Sequence, residues 1–287
     1  MPIQGLNIIG ESLNDSVPST HTLYEKNDWD KICELARFQE EKGAIAIDVN
    51  VGGRSVEMMK NVVRAVQESV AVPVSVDSPD YELAEAGLSV CDVSRGKPIL
   101  NSISPLRMNM FDLLKICPFR PILLISELQD EQGVRKSAQT AEETFTAARI
   151  LFDKAKKHGI ENDDMIFDPG IAPIGSDLEG NLARLIKTLE MIQQTPDMKG
   201  VHVSVGLSNF TVMLPSKRKD GSPVKSPLES AFLTLTVPLG LDYVVGSVQR
   251  KYSILEEGHP ALVCVKKCLE SADGFTALST VRNFYKK

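Results

Sequence analysis

Acidic, amide and hydroxyl side chains recur at the ends of short apolar segments along this sequence. They are Asn14, Asp48, Asp77, Asn101, Asp168, Ser208 and Asn209. Carboxylates and carboxamides dominate the set, and it contains neither histidine nor cysteine. If the segments are neighbouring strands, their ends lie together and the polar groups share one site.

Such a site suits a flat heterocycle with an amide-like edge. A carboxylate accepts two parallel hydrogen bonds from a ring N–H and an adjacent amino group, and a carboxamide supplies one donor and one acceptor. Pterins and purines carry this edge. The competing roles are structural. Asp48 is as well suited to a turn or a helix cap as to ligand binding, and Asn101 and Asn209 could each brace a loop instead.

Other catalytic chemistries are disfavoured by the same positions. The four histidines, His21, His158, His202 and His259, lie in loops, at a helix end or at the start of a strand, and none lies at the C-terminal end of a predicted strand. This argues against a three-histidine zinc site. The sequence has neither a GxSxG nor a GxxxxGK[ST] motif. Cys264 and Cys268 are four residues apart on a predicted helix, where reduced buried thiols are favoured over a metal pair. We therefore predict no metal site.

The apolar segments alternate with longer amphipathic ones, in eight strand–helix units. The predicted strands are residues 6–10, 44–48, 72–77, 98–101, 121–125, 165–168, 202–205 and 242–245. The predicted helices are residues 29–42, 55–70, 81–88, 111–115, 141–158, 178–194, 228–239 and 261–269. Strands that are apolar throughout are typical of a parallel sheet covered on both faces.

Eight such units predict a single (β/α)8 barrel over residues 1–287. An open doubly wound sheet is the alternative, but Gly10 does not begin a GxGxxG motif. The basic stretch 217–226 predicts a mobile, solvated loop. The apolar residues Phe232 and Leu233 serve either a dimer interface or the core.

Composition narrows the range of partners. Lys and Arg total 32 against 38 Asp and Glu, so the net charge is −6, and 43% of residues are hydrophobic. This balance disfavours nucleic acid and acidic membrane surfaces as partners. The N-terminus shows no signal-peptide pattern, and no apolar run approaches the length of a membrane span. We therefore expect a cytoplasmic protein.

Several short motifs, taken in order, resemble the pterin-binding methyltransferases. They are residues 8–14 (IIGESLN), 37–44 (RFQEEKGA), 47–52 (IDVNVG), 76–78 (VDS), 100–102 (LNS), 167–169 (FDP) and 206–209 (GLSN). The resemblance is specifically to the methyltetrahydrofolate:corrinoid methyltransferases, which are relatives of dihydropteroate synthase. It implies a barrel of the dihydropteroate synthase type with the pterin in its mouth.

The resemblance also implies roles for individual residues. Asp77, Asn101 and Asp168 match the family's contacts to the pterin ring. Asn209 matches a carboxamide near N5, the nitrogen that carries the methyl group, and is the catalytic candidate.

Asn14, Asp48 and Ser208 would complete the substrate pocket. The implied substrates are tetrahydrofolate or methyltetrahydrofolate and a cobalamin (corrinoid) held by a separate corrinoid protein, with the direction of methyl transfer left open. A homodimer is also implied.

Two departures separate the sequence from dihydropteroate synthase. Ser208-Asn209-Phe210 stands where that enzyme carries Ser-Arg-Lys, and residues 50–54 replace its Ser-Thr-Arg-Pro loop. Both departures argue against the pterin-condensing activity, which is the second hypothesis. A non-catalytic folate-binding barrel is the third.

Overall fold

Parallel strands form the centre of the computed structural model, which describes residues 3–130, 132–271 and 273–286. In chain order the strands are β1 (Asn7–Asn14), β2 (Ala44–Asn50), β3 (Val74–Asp77), β4 (Ile99–Ile103), β5 (Arg120–Leu124), β6 (Glu127–Gln129), β7 (Arg135–Ser137), β8 (Ile166–Asp168), β9 (His202–Val203) and β10 (Tyr243–Gly246). Eight of them form one sheet in the order β10-β1-β2-β3-β4-β5-β8-β9, and β6 and β7 form a separate hairpin.

The sheet closes on itself between β9 and β10. The backbone N–H groups of Asp242 and Val245 donate to the carbonyls of Val203 and Val205, at 3.2 and 3.0 Å. Closure removes both sheet edges, so each of the eight strands pairs with a neighbour on either side. The predicted (β/α)8 barrel is confirmed, and the open doubly wound sheet is excluded.

Helices surround the barrel. They are α1 (Pro18–Lys26), α2 (Trp29–Glu41), α3 (Val56–Ser69), α4 (Tyr81–Leu88), α5 (Ala141–Lys157), α6 (Asn181–Gln193), α7 (Lys225–Thr236), α8 (Pro260–Leu269) and α9 (Gly274–Lys286). In α3 the buried residues Met59, Val62, Val63 and Val66 follow the helical repeat and form one apolar stripe against the barrel. The side chain of Ser55 caps this helix by accepting from the N–H of Met58.

Most predicted helices are present, with ends shifted by a few residues. Helix 81–88 is confirmed at both ends, whereas α6 begins three residues later than predicted, at Asn181. Residues 108–115 form a 3-10 segment in place of the α-helix predicted near 111–115. Helix α7 begins at Lys225 and stops at Thr236, because Pro238 has no N–H to continue it.

The solvated loop predicted for residues 217–226 is therefore wrong at its end, where the last two residues belong to α7. Most residues of the loop are exposed, as predicted, but one of them contacts the last helix. The guanidinium of Arg218 lies 3.8 Å from the centre of the Phe284 ring on α9. That contact ties the loop to the last helix.

Three elements have no counterpart in the sequence prediction: α1, α9 and the β6–β7 hairpin. Helix α1 buries only Thr20 and Tyr24, and α9 only Val281 and Phe284, so neither carries a strong apolar repeat. The hairpin strands have three residues each, and those of β7 are exposed. Short or weakly amphipathic elements leave little periodic signal in a sequence.

The apolar face of α7 belongs to the core of this chain. Phe232 and Leu233 are fully buried and pack with residues of α8 and α9. Cys264 and Cys268 also face α9, where their thiols donate to the carbonyls of Thr280 and Ala277. Over the described ranges, no helix has both the length and the apolar character needed to cross a membrane.

A network of charged side chains joins the N-terminal ends of β9 and β10. The Nδ1 atom of His202 lies 2.6 Å from a carboxylate oxygen of Asp242, and its Nε2 atom lies 3.3 Å from Asp163. The hydrogen bond to Asp242 raises the pKa of His202 above its ordinary value. The imidazolium therefore stabilises the folded state at this end of the barrel.

We predict that His202→Gln lowers the free energy of unfolding more at pH 5.5 than at pH 9. A histidine whose pKa is raised by folding stabilises fully below its unfolded pKa of about 6.5, and that stabilisation is lost as the pH rises through the folded pKa. The difference between the two pH values should be on the order of 1 kcal/mol, measured by urea unfolding.

His158→Gln is the matched control, since the His158 ring stacks on Phe111. The comparison separates the loss of an imidazole ring from the loss of the contact with Asp242. An equal cost of His202→Gln at pH 5.5 and pH 9 would contradict the assigned ion pair.

Candidate active site

The inside of the barrel is built in two layers. The lower layer is apolar and consists of Ile9, Ala46, Ile99, Ile122, Ile166 and Tyr243. Because side chains alternate along a strand, the residues two positions further along also point inward. These are Glu11, Asp48, Asn101, Leu124, Asp168 and Val245, and all six line a cavity of about 790 Å³ at the C-terminal mouth of the barrel.

All seven predicted site residues line this cavity: Asn14, Asp48, Asp77, Asn101, Asp168, Ser208 and Asn209. The volume lies within the usual range for small-molecule sites, roughly 300–1,000 Å³. The structure thus brings these residues together, while their roles in binding and catalysis stay predictions. Among the described residues that line the cavity there is no lysine or arginine.

Asp48 and Asp77 form an acid pair at the base of the cavity. The Asp48 side chain is only 2% exposed, and its Oδ1 accepts from Ser75 Oγ at 2.5 Å and from Asn101 Nδ2 at 3.3 Å. Burial, and then the charge of Asp77, raise the pKa of Asp48 well above its usual range. Burial also raises the pKa of Asp77. The pair therefore retains a proton on Asp48, the deeper of the two groups.

The neighbours of this pair determine what it offers to a ligand. Asn50 Nδ2 donates to one oxygen of Asp77 at 2.9 Å. Asn101 donates its amide N–H to Asp48, which leaves the Asn101 carbonyl oxygen as an acceptor toward the cavity. Asp48 is therefore a buried side chain that orients Asn101, rather than the helix cap considered above.

Asp168 lies on the opposite side of the cavity, at the end of β8. Its Oδ1 accepts from the backbone N–H of Gly170 at 2.8 Å, so the carboxyl also closes the turn that follows the strand. Burial raises the pKa of Asp168 to about 6. At neutral pH the carboxylate form predominates and can accept hydrogen bonds from a ligand.

Ser208 and Asn209 lie in the 3-10 turn 207–211 that follows β9. The Ser208 hydroxyl donates to Glu11, whose pKa is raised by burial. The Asn209 Nδ2 atom lies 2.8 Å from the position that a Cβ on Gly206 would occupy. Glycine at 206 therefore gives the exposed carboxamide of Asn209 the room to fold back over the cavity.

Glu11 is the acidic cavity residue missing from the predicted site. Its position at the end of the first strand was visible in the sequence, and the alternation from Ile9 would have placed its side chain inward. Ser75 and Asn50, which hold the acid pair, were missed because their roles depend on contacts between neighbouring strands.

Asn14 does more than line the cavity. Its Oδ1 accepts from the N–H and the hydroxyl of Ser16, at 2.9 and 2.6 Å, and so closes the turn after β1. The cavity also has apolar lining at Val17, Leu35 and Val212. In the part of the chain that the structure describes, no group of three His, Cys, Asp or Glu side chains is placed to hold a metal ion.

The sequence profile of the pterin binding enzyme family matches residues 11–245. This range begins at Glu11, includes Asp48, Asp77, Asn101 and Asp168, and ends at the last strand of the barrel. The match covers most of the chain. The protein belongs to this family of pterin-binding enzymes.

Individual relatives agree with this assignment. A methylcorrinoid:tetrahydrofolate methyltransferase of Eubacterium limosum is 28% identical over 244 residues, which cover 83% of each chain. Dihydropteroate synthase from Xanthomonas albilineans, solved with 7,8-dihydropteroate, superposes with a TM-score of 0.54 at 18% identity, covering 85% of this chain and 88% of that one. The Thermus thermophilus enzyme gives 0.55 at 21% identity, covering 85% and 89%. The two structures show a shared fold.

We predict that Asp48→Asn stabilises the protein at pH 8 by on the order of 1 kcal/mol. A carboxyl whose pKa is raised by folding stabilises the fold below its unfolded pKa, and this contribution is lost as the pH rises toward the folded pKa. An asparagine can accept from Ser75 and Asn101 and donate to Asp77 at any pH. The gain should shrink toward pH 4 in urea unfolding.

Asp153→Asn on the exposed face of α5 is the control and should show no such gain. A destabilised Asp48→Asn variant at pH 8 would mean that the Asp48 carboxylate is ionised in the fold.

Proposed function

We propose that this protein transfers a methyl group between N5 of tetrahydrofolate and the cobalt of a corrinoid carried by a separate protein. One observation carries the proposal. The acidic and amide groups Asp77, Asn101 and Asp168 surround a single cavity whose rim bears the carboxamide of Asn209. The similarity to the Eubacterium limosum methyltransferase supports the same reaction class.

The cavity offers the hydrogen bonds that a pterin edge requires. The pterin presents a ring N–H and an amino group, which are donors, beside a carbonyl acceptor. Asp77 and Asp168 each have one oxygen that is not used in the hydrogen bonds described above, and Asn101 presents its carbonyl oxygen. With Asp48 neutral, the negative charge at the base of the cavity rests on Asp77. The oxygen that accepts from Asn50 has a second lone pair, so the two oxygens together can accept two parallel N–H bonds.

The chemistry at N5 explains how an amide on the rim can promote methyl transfer without a stronger acid or base. A methyl group on a tertiary amine is a poor electrophile, and protonation of N5 converts the departing pterin into a neutral amine. The bond between N5 and the methyl carbon breaks as the bond between that carbon and cobalt forms, and the electron pair of the broken bond returns to N5. The Asn209 oxygen can accept from N5–H and favour the cationic form.

Orientation supplies a further part of the rate. A pterin fixed by three hydrogen-bonding side chains presents its methyl group to the open mouth, and well-aligned reactants gain up to roughly 7–11 kcal/mol. The same residues serve transfer in either direction.

The proposal also includes the corrinoid partner, the single domain over residues 1–287, the cytoplasmic location and a homodimer. The homodimer rests on the family resemblance alone.

The test is spectroscopic. The purified protein is mixed with cob(I)alamin and methyltetrahydrofolate, and in a second reaction with methylcobalamin and tetrahydrofolate, and the corrinoid absorbance is followed. Catalysed interconversion in either mixture supports the proposal. Activity with p-aminobenzoate and a pterin diphosphate would instead identify a condensing enzyme. Binding of tetrahydrofolate without corrinoid turnover would identify a non-catalytic barrel.

We predict that Asn209→Ala lowers kcat for methyl transfer by about 10²-fold while changing the affinity for methyltetrahydrofolate little. The amide interaction with N5 strengthens as positive charge develops there, so its loss acts on the transition state more than on the bound substrate. The kcat comes from the corrinoid absorbance, and the affinity from calorimetric titration.

Val212→Ala is the matched control, since Val212 lines the same cavity three residues along but bears no polar group. It should leave kcat within a few-fold of the original protein. Equal losses of rate and affinity in Asn209→Ala would remove the proposed role of the amide.

A further inference from the structure

Arg184, on α6, lies directly behind the turn that carries Asp168. Arg184 is only 8% exposed. Its Nη1 atom donates to the hydroxyl of Thr144 at 2.9 Å and to the carbonyl of Pro169 at 3.0 Å, and its Nη2 atom donates to the carbonyl of Gly170 at 3.3 Å. Arg184 thus fastens the two residues that follow Asp168 to helices α5 and α6.

The electrostatic surroundings of Arg184 are unusual for a buried cation. Its direct partners are a hydroxyl and two backbone carbonyls, and among the described residues it forms no ion pair within 4.0 Å. A buried charge is costly unless a charge of opposite sign balances it. Burial lowers the pKa of Arg184, and the negative charges that oppose this effect are those of Asp177 and Asp168.

The two acids differ in how they are used. The carboxylate of Asp177 accepts from the backbone N–H groups of Asn181 and Leu182, both at 2.9 Å, and so closes the start of α6. Asp168 points into the cavity, on the other side of the turn that Arg184 holds. It is the acid whose ionisation matters to a ligand.

We propose that Arg184 is a positioning residue for the cavity, which fixes the turn after β8 and supplies the positive charge opposite the carboxylate of Asp168. The inference rests on the proposed pterin-binding role of Asp168. It explains how a buried carboxyl remains a hydrogen-bond acceptor at neutral pH. In agreement, the charge of Arg184 lowers the pKa of Asp168 against the effect of burial.

Several other charged groups surround Asp168. Glu11, Asp48 and Asp77 line the same cavity from β1, β2 and β3, and behind the end of β5 lies the ion-paired group Glu127, Arg107 and Arg135. All of these groups are retained when Arg184 alone is replaced. Asp177, the other acid that balances Arg184, does not line the cavity. A change in the pH dependence of ligand binding that follows the charge at position 184 therefore reports on Asp168.

The experiment measures the binding of methyltetrahydrofolate by calorimetry between pH 5 and pH 8, without any corrinoid. In the original protein we expect affinity to fall as Asp168 is protonated, near its pKa of about 6. In Arg184→Gln this decline should begin about one pH unit higher, because the opposite charge that favours the carboxylate is gone.

Two further variants separate charge from geometry. Arg184→Lys keeps the charge but loses the fork of donors, so its affinity at pH 8 should fall several-fold while its decline stays at the original pH. Thr144→Val removes one hydrogen-bond partner of Arg184 without altering charge, and its decline should also stay at the original pH.

An unchanged pH dependence in Arg184→Gln, or an equal displacement in Arg184→Lys, would overturn the inference. If Arg184→Gln does not fold, Arg184→Lys decides: unchanged affinity at pH 8 or a displaced decline contradicts the role assigned to Arg184. An original protein that does not bind methyltetrahydrofolate at any pH would overturn the proposed function itself.

Discussion

Four carboxyl groups, those of Glu11, Asp48, Asp77 and Asp168, share one cavity without a lysine or arginine among the described residues that line it. Burying so many acids is costly, and the protein limits the cost in three ways. Asp48 keeps a proton beside Asp77, Glu11 accepts a hydrogen bond from Ser208, and Asp168 accepts one from a backbone N–H. These arrangements determine which groups can accept hydrogen bonds from a ligand, and therefore which ligands the cavity suits.

The N-terminal end of the barrel contributes to stability, and the C-terminal end holds the groups available for binding. At the N-terminal end, His202 and Asp242 are held in an ion pair that tightens the fold. At the C-terminal end the acids are left with unused acceptors, which makes the fold less stable than an apolar mouth would. Barrels generally show this division, because loops at the C-terminal end can vary without disturbing the strands.

The sequence was sufficient to predict the barrel and to predict that the site residues converge at one end of it. Apolar strands followed by polar residues define both, and Asp48, Asp77, Asn101 and Asp168 needed no tertiary information to be placed at one end. What could not be predicted depends on contacts across the fold. To predict the proton that Asp48 retains beside Asp77, one must know the distance between β2 and β3. The hydrogen bonds from Arg184 to the turn after β8 form because α6 packs behind that turn. An arginine within an amphipathic helix does not by itself indicate this packing.

The positions of the nearby cations bear on how a folate would lie. Arg184 holds the turn after β8 from behind, and the charge of Arg250 opposes the rise in the pKa of Glu11. Neither arginine lines the cavity. The interior therefore attracts the donor edge of a pterin and repels anions. The glutamate tail of a folate carries carboxylates, so it must extend out of the mouth while the pterin edge remains inside. Under the proposed function, that orientation would place N5 beside the exposed carboxamide of Asn209, where a methyl group could be reached from outside the barrel.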